Sequence, residues 1–338
     1  MRRFEYLRAA SIEEAIARLG DDSGAQLLAG GTNLVDLMKY DVATPTTIID
    51  INDLPLREIG QTANGGLRIG ALVTNAEVAC HAAVESHYPL LASAILAGAS
   101  AQLRNAATVA GNLMQRTRCA YFYDVATACN KRMPGSGCPA RDGLNRNHAI
   151  LGASNACVAT HPSDMCVALA AIEATVIVKG PEGTRAISLA EFHRLPGETP
   201  QQDTILRHDE IVLGIELPPT PEAPRYSYLK IRDRLSYAFA LVSAAVLLAI
   251  DDGVISMAQV ALGGVAHKPW RNTAAEVLLV GRTASRGNFD QFASILLSPA
   301  VALSDNGYKI ELARRTVVRA LEQAASRTPQ LQSDKRIH

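Results

Sequence analysis

The stretch Leu27-Leu28-Ala29-Gly30-Gly31-Thr32-Asn33 decides how this chain reads. Two leucines and an alanine look like the end of an apolar strand. Two glycines free the backbone, and Thr32 and Asn33 are polar residues of the kind that open a helix. A strand that turns on glycines into a helix start offers unpaired N–H groups and a positive dipole end, which suits an anion such as a diphosphate. The same residues also describe an ordinary tight turn. Neither G-x-G-x-x-G nor G-x-x-x-x-G-K-[ST] occurs, which argues against a Rossmann dinucleotide site and a P-loop.

Working outward, the first fifty residues predict β-α-β-α-β. A strand runs from Arg3 to Leu7, and Ser11 caps a helix with Glu14 reaching back to its amide, ending at Gly20. A second helix starts near Asn33 with Leu34, Leu37 and Met38 on one face, and Thr46 to Ile51 is a β-branched strand. From Gly66 the pattern changes to a strand at Leu67 to Gly70, a capping box at Thr74 to Glu77, a helix at Pro89 to Ala97, and strand-and-turn character from Arg104 to Asn112. Met165 to Ile172 is helical, and Thr175–Val178 pairs with Thr184–Ser188 as a hairpin. The run P-P-T-P-E-A-P at 218–224 reads as an extended linker and a domain boundary. Strands follow near Tyr226–Arg232, Ala240–Ala249 and Ile255–Leu262, then helices at Thr273–Val280, Phe289–Leu297 and Lys309–Ser326, and a frayed polar tail.

Composition excludes several classes. The chain has 338 residues, 48% of them hydrophobic, with 33 basic against 33 acidic side chains. That supports a real core in two or three folding units and argues against disorder and against nucleic acid as a partner. No apolar run reaches the length of a membrane span; Phe239–Ile250 reads as a buried strand or short helix. The N-terminus lacks an apolar h-region, so no signal peptide is expected, and Arg2-Arg3 reads as a strand start rather than an export signal.

Residues Met114 to Leu151 look like an insertion, rich in Arg, Lys, Gly, Pro and Cys and without periodicity. A structureless loop of this length needs something to organise it. Four of the six cysteines fall between Cys119 and Cys157, three inside this stretch and one just beyond it, as Cys119-x9-Cys129-x8-Cys138-x18-Cys157. No C-x2-C pair is present, which disfavours a zinc ribbon, and the spacing differs from ferredoxin runs. Spacing alone leaves an iron–sulfur cluster, zinc and free thiols equally open. The bases Arg116, Arg118, Lys131, Arg132, Arg141 and Arg146 predict lowered thiol pKa values. Cys80 and Cys166 read as plain core residues. Tyr121-Phe122-Tyr123 could pack on a ring or anchor the loop.

Two further small-residue segments resemble the first: Ala107-Thr108-Val109-Ala110-Gly111-Asn112-Leu113, and Thr160-His161-Pro162-Ser163-Asp164-Met165 with Ser163 or Asp164 capping a helix. His161 and Asp164 could form an acid–base pair, but the capped helix start is the commoner arrangement. Lys230 reads as a solvated edge-strand lysine. No catalytic acid–base pair stands out.

The strings L-A-G-G-T-N at 28–33, A-T-V-A-G-N-L at 107–113 and H-P-S-D-M at 161–165 resemble the FAD-binding subunits of the xanthine dehydrogenase/molybdenum hydroxylase family. R-T-R-C-A-Y-F-Y-D at 116–124, C-N-K-R-M-P-G-S-G-C at 129–138 and A-L-G-G-V-A-H-K-P-W-R at 261–271 are similar to the branch found in bacterial periplasmic aldehyde oxidoreductases, whose FAD subunit carries a [4Fe–4S] cluster. The resemblance spans essentially the whole chain. It implies an α+β fold: a two-lobed FAD-binding domain of the vanillyl-alcohol oxidase type at 1–218 (lobes 1–60 and 61–218, with the Fe–S insertion at about 114–158), then a carbon monoxide dehydrogenase flavoprotein-like C-terminal domain at 225–328.

It also implies an FAD held by Leu27, Leu28, Ala29, Gly30, Gly31, Thr32, Asn33, Thr108, Gly111, Asn112, Ser163, Asp164 and Lys230. Cys119, Cys129, Cys138 and Cys157 would ligate the cluster. The implied assembly is a heterotrimer that oxidises aldehydes to carboxylic acids, with a molybdenum–pterin large subunit and a small subunit holding two [2Fe–2S] clusters, passing electrons through the FAD to an external acceptor. A 4-hydroxybenzoyl-CoA reductase-like or xanthine dehydrogenase-like complex, a self-sufficient flavin oxidase and a zinc-stabilised module without flavin are the alternatives. The compartment implied is the periplasm, as passenger of a signal-bearing partner, or the cytoplasm.

Overall fold

A computed structural model describes residues 1–220 and 224–332. The centre of the expected linker, 221–223, and the end of the expected frayed tail, 333–338, lie outside the described residues. Three sheets organise the chain. The first is parallel, in the order β1 (Glu5–Arg8), β3 (Thr47–Asp50), β2 (Ala25–Leu28), which is the outcome of the β-α-β-α-β start. The intervening helix, Ile12–Asp21, is capped by Ser11, which accepts from the Glu14 amide. Glu14 reaches back to the amide of Ala10 rather than that of Ser11, and the helix runs through Gly20 to Asp21.

The second sheet has five antiparallel strands in the order β4 (Ile59–Gln61), β5 (Leu67–Gly70), β8 (Ile211–Leu217), β6 (Thr175–Gly180), β7 (Gly183–Ser188). Its face is covered by short helices. One, Asn75–Ala79, opens on the full capping box of Thr74 and Glu77. The expected strand-and-turn segment 104–112 is instead two short helices, Ala101–Ala106 and Val109–Leu113, capped by Ser100 and Thr108. Helix propensity of the alanines and two serine/threonine caps outweighed the small-residue pattern.

The third sheet is antiparallel, in the order β12 (Trp270–Arg271), β11 (Val254–Gly263), β10 (Val242–Asp251), β9 (Arg225–Ile231). Strand β10 is buried on both faces. Ala245 and Leu247 join a core shared with the second lobe, whereas Val242, Ala244, Val246 and Leu248 join a second core under the helices Arg286–Leu296 and Tyr308–Ala325. Helix Asp164–Ile172 is apolar on all sides and every residue in it is buried, as expected of a helix sandwiched between layers. Phe239, the expected first residue of the apolar run, is exposed and lies outside β10. Among the described residues no helix is long and apolar enough to cross a membrane.

The glycine pair joins the lobes. A Cβ on Gly30 would lie 1.8 Å from the carbonyl oxygen of Ala106, and Gly31 has φ +69°. The absence of a side chain at Gly30 therefore lets two protein segments touch. We predict that Gly30→Ala lowers unfolding free energy by about 1–3 kcal/mol, an overpacking cost against rigid backbone. Gly60→Ala, where a Cβ meets nothing within 4 Å, should leave it unchanged. Denaturant unfolding of both variants checks this, and equal midpoints would refute the contact.

Candidate functional site

Two cavities of similar size flank the loops singled out in the sequence. The first, about 400 Å³, is lined by Leu27, Ala29, Gly30, Gly31, Thr32 and Asn33 together with Thr108 and Gly111. Its far wall is the segment Thr204 to Val212, which carried no recognisable motif in the sequence. Asn33 accepts from the Arg116 amide through Oδ1 (2.9 Å), which leaves its Nδ2 buried and without a partner. An unpaired amide donor beside a glycine turn fits a phosphate oxygen. Leu28 and Asn112 are not among the lining residues.

The second cavity, about 380 Å³, is lined by Ser163 and Asp164 with Thr117, Arg118, Cys119, His148, His161, Phe239, Ser243 and the Gly263–Gly264 turn. Between the two cavities Ser163 Oγ donates to Asn112 Oδ1 at 2.6 Å. Ser163 also caps its helix by accepting from the Cys166 amide, and Thr108 likewise accepts from the Gly111 amide. Thr108, Asn112 and Ser163 thus brace the two loops against each other.

Lys230 is not solvated. Its side chain is 3% exposed, and its ammonium lies 2.7 Å from Asp164 Oδ2 and donates to the carbonyl of Ala97. Tyr228 donates to the other Asp164 oxygen at 2.6 Å, and burial beside that carboxylate holds its phenol well above the usual range. Lys230 does not itself line the second cavity and reaches it through Asp164. Asp164 is therefore held by a lysine and a tyrosine and makes no acid–base pair with His161. His161 packs edge-on against His193, ring centroids 4.5 Å apart. A ring nitrogen of His161, one of His193 and the Cys166 sulfur form the one set of three ligand-type atoms lying within 4.8 Å of one another among the described residues, and His161 Nε2 and His193 Nδ1 are buried without partners. Burial pushes His193 down to about 4 and His161 well below its ordinary value, so both rings are neutral.

A third, small cavity of about 10 Å³ is enclosed by Cys119, Cys129, Cys138 and Cys157, with Phe122, Lys131 and Ala140. These cysteines come from four separate turns of the insertion, which holds only a short helix at Ala120–Tyr123 and a 3-10 turn at Pro139–Arg141. Burial pushes the Cys119 thiol up to about 11. A bond from the Cys157 thiol holds Cys138 down to about 6 and Cys157 up. The expected lowering of the thiol pKa values by the basic residues is met at Cys138, where Arg141 assists the bond from Cys157. It is outweighed at Cys119 by burial and at Cys157 by the bond to Cys138 together with burial, and most of those bases are engaged elsewhere. Arg116 and Lys131 pair with Asp203, Arg118 with Asp36 and Arg146 with Asp233, while Arg132 donates to the carbonyls of Tyr121 and Phe122. Cys166 is in the core as expected, whereas Cys80, at the end of Asn75–Ala79, is exposed. The aromatic triplet anchors the loop: Phe122 is buried under Arg116, and Tyr123 donates to Asp36 of the first lobe.

Residues 2–220 match the FAD binding domain in molybdopterin dehydrogenase, and residues 226–324 match the CO dehydrogenase flavoprotein C-terminal domain. Over 325 residues the chain is 49% identical to the aldehyde oxidoreductase FAD-binding subunit PaoB of Escherichia coli K12, covering 96% of this chain and 99% of that one. It is 28% identical to the carbon monoxide dehydrogenase medium chain of Hydrogenophaga pseudoflava, covering 96% and 98%. A solved structure of carbon monoxide dehydrogenase from the same organism superposes with a TM-score of 0.77 at 27% identity, over 96% of this chain and 98% of that one.

Buried neutral histidines carry a pH signature. In the unfolded chain they take up protons near the ordinary value of about 6.5, but in the folded chain only at lower pH, about 4 for His193 and His267. The unfolded state then binds more protons in between, so stability is full above pH 6.5 and is lost as pH falls toward 4. His193, His267 (also held at about 4 by burial and Lys131) and His161 predict a stability that falls by up to about 1.4 kcal/mol per pH unit for each ring. Denaturant midpoints from pH 8 to 4.5 test this; a flat profile down to pH 5 would contradict it.

Proposed function

The chain belongs to the family of FAD-binding subunits of molybdenum hydroxylases, and from that premise we propose that it is the FAD- and [4Fe–4S]-holding electron-transfer subunit of a heterotrimeric molybdenum-dependent aldehyde oxidoreductase. The observation that carries the cluster is the convergence of Cys119, Cys129, Cys138 and Cys157 on one enclosed cavity. Their soft all-sulfur donor set suits iron–sulfur or zinc. A zinc tetrahedron, with Zn–S of about 2.3 Å, draws its sulfurs to roughly 3.8 Å of one another. No three of these four sulfurs lie within 4.8 Å, which favours the wider iron–sulfur cube.

For the flavin, support comes from the two cavities and the Asn112–Ser163 bridge between them. A bound FAD would supply the redox exchange; the protein's part is to hold and orient it. Asn33 offers its buried Nδ2 to the diphosphate, with the backbone at Gly30 to Thr32 alongside. The Asn112–Ser163 pair fixes the passage to the second cavity. Asp164, held by Lys230 and Tyr228, presents a fixed carboxylate edge where the flavin ring would sit. No group on this chain is assigned to aldehyde chemistry, which falls to the molybdenum subunit; a large molybdopterin subunit and a small [2Fe–2S] subunit are the partners this requires.

The cluster is read as structural, because metal binding to a loop without its own core is folding energy for that loop. Cys129→Ser should lower the yield of assembled complex and its iron content. A Cys129→Ser complex that assembles normally but no longer reduces its FAD would overturn the structural role. Purified wild-type complex that contains zinc in place of the extra iron, or no flavin absorption, would overturn the cofactor reading itself.

A further inference from the structure

We propose that His148 sets the reduction potential of the cluster through an N–H···S hydrogen bond to Cys119, an inference that rests on the cluster reading above. His148 Nε2 lies 3.1 Å from the Cys119 sulfur. A cluster-bound thiolate has no proton to give, so the bond requires the hydrogen on Nε2. Among the described residues no other side-chain nitrogen is within hydrogen-bond distance of any of the four sulfurs; Cys157 accepts from the backbone of Ala159 at 3.5 Å.

His148 is buried, and its backbone is held largely from outside the insertion. The carbonyl of His148 accepts from Lys309 Nζ at 2.9 Å and from Asn306 Nδ2 at 3.4 Å, both in the C-terminal domain. Its amide donates to the carbonyl of Asn145, a fully buried residue bonded in turn to Ser304 and Asp305. Donor and acceptor both belong to the insertion, and the backbone that carries the donor is anchored to the C-terminal domain.

A hydrogen bond to a ligand sulfur withdraws electron density and stabilises the reduced, more negative cluster, which raises its potential. Cys119 and His148 both line the cavity that also holds Ser163 and Asp164, and Cys119 lines the cysteine cavity as well. The tuned corner of the cluster thus faces the proposed flavin site.

The test is EPR-monitored potentiometry of the intact heterotrimer. His148→Leu should keep full iron and FAD but move the midpoint of the [4Fe–4S] signal to more negative potential. His148→Gln, which keeps an N–H donor, should lie between it and wild type. An unchanged midpoint in iron-replete His148→Leu overturns the proposal. Should that variant assemble poorly, wild-type complex labelled with ¹⁵N-histidine decides the matter: pulsed EPR of the reduced cluster should detect a histidine nitrogen, and its absence overturns the proposal. Wild-type complex without a [4Fe–4S] signal or its iron would instead sink the cluster reading on which both depend.

Discussion

Three buried lysines, Lys131, Lys230 and Lys309, tie separate segments of this molecule together. Taking an ammonium out of water costs several kcal/mol unless its protons find acceptors in good geometry. Lys230 is met by Asp164 and the Ala97 carbonyl, Lys131 by Asp203, the Pro200 carbonyl and His267, and Lys309 by the carbonyls of Asn147, His148 and Gly264. Each lies where separate segments meet. Lys230 ties the third sheet to the start of the buried helix, Lys131 ties the insertion to the loop at 200–203 and to β11's exit, and Lys309 ties the insertion to the last helix. Moving any of these segments would leave a buried lysine nitrogen without its acceptors, which specifies their relative positions beyond what apolar packing does.

This is also why the sequence was legible in some places and not in others. The strands of the third sheet and the capped helix starts are local signals, and Ser11, Thr74 and Ser163 announce them by type and spacing. The opening β-α-β-α-β unit was readable for the same reason. Lys230 was misread because nothing near it in the chain reveals Asp164, sixty-six residues away and on another element. The bases of the insertion were misread likewise: their partners Asp36, Asp203 and Asp233 are all distant in sequence. The wall at Thr204 to Val212 carries the charged run Arg207-His208-Asp209-Glu210 but no spacing that points to a ligand, and only the fold brings it to the first cavity.

The insertion shows how a long irregular segment can remain ordered with little core of its own. Its backbone polar groups must be met by something. Arg132 covers the carbonyls of Tyr121 and Phe122, Asn130 exchanges bonds with Gly137 and reaches Ala156, and Asn145 satisfies Arg141 and Gly143. Its exit is zipped to the C-terminal domain, where Ile150 and Leu151 both donate to the Val265 carbonyl. The cysteine positions are thus set by a polar framework that extends beyond the loop. A metal group bound there would add its binding energy as folding energy to a loop whose polar groups are already met but which has little apolar core.

The same logic governs the two larger cavities. Thr108, Asn112 and Ser163 are flavin contacts only by what the sequence resemblance implies, and their side-chain oxygens are already engaged with Gly111, Gln115, Cys166 and one another. Such residues act first by bracing. They fix the two loops against each other, while the Arg116 amide separately fixes Asn33, so a ligand meets donors that need no rearrangement. Preorganisation of that kind lowers the entropic cost of binding and fixes where a ring would lie. A motif rich in small polar residues therefore signals a cofactor loop less through the donors it offers than through the rigidity its internal hydrogen bonds create.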